Sequence, residues 1–283
     1  MSTILPSSTR RAFCKGITVA AATTAYMSCA FTTIQAAHQR QESPQVDAHS
    51  LNVLLVHGAY ADASSWLGVI PLLRARGYNP LAIQIPLSSL EEDILITRQA
   101  LKTLSGPTIL VGHSYAGAVI TNAATNADNA SALVFADAFA PDEGESILDI
   151  ASRFPTPPIN AFIVPSYTPN FVWVQPSAFP ENFIQDVPVE QGQNLAVVQK
   201  PINPKAFGTR SGAPAWKQLP SWALIGMNDR AISPDALRFM AKRMGAVTRE
   251  VASSHASPVS HPNDVVDLIV AAAQHIPVTI GRG

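Results

Sequence analysis

The sequence predicts an α/β protein: a mostly parallel sheet flanked by helices on both faces. Three observations carry that reading. Six runs rich in β-branched and aliphatic residues recur after residue 50. They are apolar almost throughout, as strands covered on both faces are. Between them lie segments in which apolar residues return at three and four, the helical repeat.

The elements follow in order. LNVLLVH (51–57) reads as the first strand and 64–76 as a helix; YNPLAIQI (78–85) is the second strand. The helix over 90–104 aligns Leu90, Ile94, Leu95, Ala100, Leu101 and Leu104 in one stripe, with Glu91, Glu92, Arg98 and Lys102 largely off it. PTILVGH (107–113) is a strand, 115–127 a helix, and SALVFAD (131–137) a strand. After a long interruption come LPSWALIG (219–226), a helix over 233–244, VTREVAS (247–253) and a last helix over 261–274. Ser233 and Asp235 stand at the start of their helix, where capping and the helix dipole favour them.

The interruption, about 141–216, holds 12 of the 23 prolines and the aromatics Phe154, Phe162, Tyr167, Phe171, Trp173, Phe179, Phe183, Phe207 and Trp216. Little periodicity is visible in it. The alternatives are an irregular excursion packed on the core and a lid walling an apolar pocket; so long an insertion favours the lid.

The 283 residues are 47% hydrophobic and 14% charged, enough for one large core. A formal charge of −1 without a basic run speaks against a nucleic-acid surface. Residues 1–37 read as a twin-arginine export signal: Arg10, Arg11, Phe13 and Lys15 precede an uncharged, Ala/Thr-rich stretch from Gly16 to Ile34, and small Ala36 and Ala37 suit cleavage. The stretch is too weakly apolar for a membrane span. Residues 38–50 read as a linker and 51–283 as the folded domain. Cleavage removes three of the 19 basic residues and none of the 20 acidic ones, leaving a charge of −4. It also removes Cys14 and Cys29, both cysteines of the chain, so the mature protein would have no disulfide and no thiol nucleophile. The expected location is periplasmic or secreted.

In parallel sheets, sites form beyond the carboxyl ends of the strands. Ser114 follows 107–113 on a turn of small residues, GHSYAG; Asp229 follows 219–226 in MNDRAISP; His255 follows 247–253 in SHASPVSHP. A serine needs a base to become a nucleophile, and the base needs an anion to hold its tautomer. After the first strand, HGAYADASSW offers backbone N–H groups at Ala59, or alternatively Tyr60, to join that of Tyr115 around a developing oxyanion. Two rivals remain open. His261, before Pro262, reads as a cap or structural contact, and Asp137 ends another strand where an acid would also serve. No His/Asp/Glu cluster has ligand spacing, so neither a metal nor a cofactor is expected.

Across about 51–275 the chain resembles the α/β-hydrolase superfamily, in particular its compact members such as small esterases and the hydroxynitrile lyase and plant ester hydrolase group. The carriers are VHGAYADASSW, GHSYAGAVI, FADAFAPDEGES, GMNDRAISP and ASSHASPVSHP. The resemblance implies Ser114 as nucleophile, His255 as base, Asp229 as the acid orienting it, and Ala59 and Tyr115 as oxyanion donors. One departure stands out: the family elbow is usually Gly-x-Ser-x-Gly, and position 116 is Ala. The implied activity is a serine esterase acting on apolar small-molecule esters. A cofactor-free lyase or a lactone hydrolase uses the same scaffold. A binding protein without chemistry would be expected to lack a member of the constellation. The lid region has no evident clamp for a substrate carboxylate, with Arg153 and Arg210 as the candidates.

Overall fold

The computed structural model describes residues 51–276. The predicted export signal (1–37) and linker (38–50) lie outside the described residues, as do 277–283. From the amino end come β1 (Asn52–Val56), α1 (Val69–Ala75), β2 (Asn79–Ile83), α2 (Leu90–Lys102), β3 (Thr108–His113), α3 (Ala116–Ala123) and β4 (Ala130–Ala136). The long insertion then contributes α4 (Ile147–Ala151), β5 (Ile163–Pro165), β6 (Val172–Val174), α5 (Phe179–Phe183), α6 (Val189–Val197) and α7 (Lys205–Gly208). The chain returns through β7 (Ser221–Gly226), α8 (Pro234–Met244), β8 (Val247–Val251), α9 (Ser257–Ser260) and α10 (Pro262–Ala273).

Six strands form one sheet in the order β2-β1-β3-β4-β7-β8, and every adjacent pair is parallel. Alternate side chains point to opposite faces, so a strand buried on both sides must be apolar at every position. Leu54, Val56, Leu110, Leu133, Phe135, Ala223 and Ile225 meet α2, α3 and α8 on one face. Val53, Leu55, Ile109, Val111, Val134, Trp222 and Leu224 meet α1 and α10 on the other. Each fully buried Val, Leu or Ile contributes about 1.5–3 kcal/mol relative to exposure, and these two layers fix the sheet on which the loops are mounted.

The stripe expected on α2 needs one correction. Leu95 is 53% exposed, while Asp93 and Thr97 are completely buried. The buried line runs through Leu90, Asp93, Thr97 and Leu101. Two polar residues are tolerated there because their bonds are made: Asp93 accepts from Leu87 N–H at 2.8 Å and Tyr115 O–H at 2.7 Å, and Thr97 Oγ1 donates to the Asp93 carbonyl at 2.7 Å. The first helix also divides, into a 3₁₀ turn at Ala63–Trp66 and α1.

Residues 141–216 pack on the core and are regular only in part. They fold into short helices and an antiparallel hairpin of β5 and β6, with Ile147, Ile150, Ile159, Val174, Phe179, Phe183 and Ile202 buried. Prolines sit at first-turn helix positions near 158 and 180, where the missing N–H costs nothing. Among the described residues, no helix is long and apolar enough to cross a membrane.

Candidate active site

Ser114 stands between β3 and α3 with φ = 56°, in the left-handed region that disfavours side chains. Its carbonyl accepts from Gly117 N–H at 3.1 Å and Phe139 N–H at 3.0 Å, which secures the reversal. The small residues around it are demanded by space. A Cβ on Gly112 would lie 2.7 Å from the Ala116 carbonyl oxygen, and one on Gly117 would lie 2.1 Å from that of Phe139. Ala116, where the resemblance leads one to expect Gly, is fully buried in the first turn of α3. The strained turn leaves the serine side chain at the sheet's carboxyl edge.

His255 and Asp229 meet at the same edge. Nδ1–H of His255 donates to Asp229 Oδ2 at 2.7 Å, and both side chains are buried. The second carboxylate oxygen accepts from Ala231 N–H at 2.7 Å and Ile232 N–H at 2.8 Å. Asp229 is thereby locked, and with Nδ1 protonated a neutral imidazole presents a bare Nε2. Of the two acids left open by the sequence, Asp229 is the one bonded to His255. Asp137 directly follows β4 nearby, accepting from Gly226 N–H at 2.6 Å. His261 lies at the start of α10 without a side-chain cap bond; its Nδ1 is 3.4 Å from Asp186 Oδ2.

Ala59 follows β1 and Tyr115 follows β3, two strands paired side by side. Tyr115 is the N-cap of α3, so its N–H belongs to the donors that no helical carbonyl reaches. The first loop touches the elbow: a Cβ on Gly58 would lie 2.7 Å from Ser114 Cβ. His57 aims that loop. Its Nε2 accepts from Ile85 N–H at 3.1 Å, so Nδ1 carries the proton and donates to the Gly58 carbonyl at 2.9 Å. In a trans peptide, fixing the Gly58 carbonyl on one side turns the Ala59 N–H to the other. Burial holds His57 down to about 4, so the ring stays neutral and keeps this pattern. The Tyr60 alternative sits at φ = 61°, its hydroxyl buried and unpartnered.

Ser114 and His255 line one cavity of about 130 Å³. The rest of its wall includes Phe139, Ile147, Phe154, Ile159, Phe183, Phe207 and Ile232, five of which come from 141–216. The side-chain hydrogen bond of His255 runs to Asp229, and its carbonyl accepts from His113. A bond to Ser114 Oγ is not among them; such contacts often tighten only when a reactant is bound. Arg153 and Arg210 do not line this cavity. Arg153 pairs with Glu145 at 2.5 Å and Arg210 with Asp149 at 3.6 Å. Among the described residues, no group of three or more His, Cys, Asp or Glu is placed to hold a metal ion.

Sequence reasoning missed the residues that hold these loops from outside. Phe183 sets its edge against the His255 ring, centroids 4.8 Å apart at 83°. Gln185 Nε2 donates to the Asn228 carbonyl at 2.7 Å, next to Asp229. Asp186 Oδ2 accepts from Ser254 N–H at 2.7 Å, next to His255. One stretch of the insertion therefore grips both loops. Phe183 was visible as one aromatic among many, while Gln185 and Asp186 carried no local signal.

Comparison with known proteins fits this architecture. No curated protein sequence gives a match. Among solved structures, a pyrethroid hydrolase from Sphingobium faniae JZ-2 is similar at 21% identity and a TM-score of 0.68, over 80% of this chain and 98% of that one. An extracellular alpha/beta-hydrolase from a Paenibacillus species is similar at 22% identity and 0.68, over 78% and 98%. Polyneuridine aldehyde esterase is similar at 16% identity and 0.69, over 79% and 99%. At these identities the likeness is one of fold. The family model described as alpha/beta hydrolase matches residues 53–268, most of the chain, and the protein belongs to the alpha/beta hydrolase family.

Proposed function

We propose that the protein is a serine esterase that cleaves carboxylic esters of apolar small molecules through an acyl-enzyme. The observation that carries the reading is the Asp229–His255 pair, bonded at 2.7 Å, beside a strained Ser114 that opens into the same apolar cavity. In this mechanism Ser114 Oγ attacks the ester carbonyl while His255 Nε2 takes its proton. The N–H groups of Ala59 and Tyr115 bind the oxyanion, and the partial positive charge at the start of α3 adds to them. Asp229 holds the Nδ1–H tautomer and stabilises the imidazolium that forms. Collapse breaks the bond to the alcohol oxygen, which leaves with the proton from His255. Water, deprotonated by the same ring, then attacks the acyl-enzyme and releases the acid, restoring Ser114.

The cavity wall supports this substrate class: aliphatic and aromatic side chains from 141–216 predominate in it, and no Asp, Glu, Lys or Arg takes part. Segment 141–216 serves as the lid over this pocket. Residues 1–37 direct export, so the substrates are met outside the cytoplasm. The family's solved relatives include a pyrethroid hydrolase and an esterase, and their activities are consistent with ester cleavage.

The test is a set of initial rates on p-nitrophenyl esters from acetate to decanoate, with Ser114→Ala alongside. A rate that peaks at one chain length and falls by roughly 10⁵–10⁶ in the variant supports the reading. Ester cleavage that persists in Ser114→Ala, or no cleavage of any ester together with no fluorophosphonate adduct on Ser114, overturns it and directs the search to lyase substrates or a bound ligand.

A further inference from the structure

Asp137 is used by none of the steps above, yet it is one of the most enclosed carboxyl groups in the protein, with no exposed surface. It follows β4 at φ = 46°, a left-handed conformation that a non-glycine residue holds only under constraint. Three contacts supply the constraint. Its backbone N–H donates to the Leu224 carbonyl at 3.1 Å. Its Oδ1 accepts from Gly226 N–H at 2.6 Å. Gly226 in turn accepts from Asp229 N–H at 3.2 Å, closing the turn that delivers Asp229.

Gly226 is pressed between this carboxyl and the loop of His255. A Cβ added there would lie 2.9 Å from Asp137 Oδ1, 2.9 Å from Ser253 Oγ and 2.8 Å from the Ser254 carbonyl. Asp137 therefore sits where the acid-bearing turn and the base-bearing loop meet. Around this junction Asp137 Oδ2, Ser253 Oγ and Ser257 Oγ are buried, and the hydroxyl and N–H of Ser257 stand beside the Asp137 carboxyl. The charged and titratable groups facing Asp137 are Asp229 and, across Asp229, His255. Two carboxylates in so dry a place repel each other strongly. A proton on Asp137 removes the repulsion, while Oδ1 still accepts from Gly226 N–H.

We propose that Asp137 is a positioning residue, carried as a neutral carboxylic acid, that braces the Gly226–Asp229 turn against the His255 loop and leaves Asp229 the single anion of the site. Burial and the nearness of Asp229 both push its carboxyl well above the usual carboxylate range. The inference rests on the reading of Ser114, Asp229 and His255 given above.

The experiment labels aspartate with ¹³C at the side-chain carboxyl and follows the resonances of the intact protein from pH 5 to 9. One resonance is expected to stay at the position of a protonated acid up to pH 8 and to be absent from Asp137→Asn. The wild-type spectrum decides even where the variant does not fold: no protonated aspartate above pH 7 overturns the proposal. Kinetics supply the second arm. Asp137→Asn, which keeps an oxygen for Gly226 N–H, is expected to hold kcat within about 3-fold and to leave the acidic limb of kcat/KM in place. Asp137→Ala is expected to lose kcat by about 10–100-fold with KM little changed. An acidic limb displaced by about one pH unit in Asp137→Asn would mean that an anion had been removed, and would overturn the proposal. Turnover surviving in Ser114→Ala would instead refute the esterase mechanism, and leaves the resonance of Asp137 unchanged.

Discussion

His113 donates from Nε2 to the backbone carbonyl of His255 over 2.8 Å, so the residue just before Ser114 holds the loop that carries the imidazole. The two rings lie with centroids 4.9 Å apart. A carbonyl can only accept, so Nε2 of His113 bears the proton and the buried Nδ1 is bare. Burial and the neighbouring His255 hold His113 down to about 3, which keeps that one tautomer neutral.

The first prediction follows from this contact. His113→Ala removes the donor and leaves a void under the loop, costing about 2–4 kcal/mol of stability. Ser114 stays in place on its strand, so binding of the ester should change little. We expect kcat to fall by about 10–100-fold while KM stays within about 3-fold. Steady-state kinetics beside a urea melt check both parts. A variant that is destabilised but turns over at the wild-type rate would show that the loop holds His255 without this bond.

The second prediction concerns pH. His57 and His113 have lowered pKa values when folded, about 4 and about 3. The unfolded chain therefore binds their protons first, near pH 6.5, so their contribution is complete above that pH and is lost as pH falls towards 4. A pKa displaced by one on folding corresponds to about 1.4 kcal/mol. Asp93 works the other way. Burial pushes its carboxyl up to about 6, so the folded state holds that proton longer and is favoured below about pH 4, an advantage lost as pH rises through 6. Asp137, also pushed well above the usual carboxylate range, acts in the same sense as Asp93, so two carboxyls oppose the two histidines. The difference in Tm between the wild type and Asp93→Asn, measured from pH 8 down to 4, should stay level to about 6 and then widen to the disadvantage of the variant, which lacks the carboxyl that holds its proton on folding. A difference unchanged between pH 6.5 and 4.5 would contradict the account of Asp93.

The strand ends were legible in the sequence because a doubly covered parallel strand must be apolar at every position, and a polar residue directly after it has left the core. Ser114 announces itself in that way. Asp229 follows the buried β7 by three residues, and His255 follows β8, a partly exposed edge strand whose polar residues weaken the signal. Asp93 gave no such signal, since a carboxylate inside an amphipathic helix reads as a surface residue until its partners, Tyr115 O–H and Leu87 N–H, are in view. Leu95 misled for the converse reason: a stripe counted from apolar residues alone ignored two polar side chains whose bonds make burial cheap. The order within 141–216 was hidden because helices of four to nine residues and a hairpin of three-residue strands are too short to show a period. Gln185 and Asp186 act through loops 43 and 68 residues away, a relation that only the folded chain contains.

The last prediction separates two histidines six residues apart. His255 is buried and bonded to Asp229, with its ring in the cavity wall beside Ser114. His261 is partly exposed, its Nδ1 2.9 Å from Ser260 Oγ and 3.4 Å from Asp186 Oδ2. Replacing His255 by Gln removes the base, and Ser114 loses the group that takes its proton. Turnover should drop by at least about 10⁴ while the fold persists. Replacing His261 by Gln removes a partly exposed neighbour of Asp186 at 3.4 Å, worth under about 1 kcal/mol. Asp186 still accepts from Ser254 N–H at 2.7 Å, so His255 keeps its place and kcat should stay within about 2-fold. Rates on one p-nitrophenyl ester, measured with both purified variants and normalised to folded protein by circular dichroism, decide the matter. Equal activity in the two would remove His255 from the mechanism, and loss confined to His261→Gln would move the base to the start of α10.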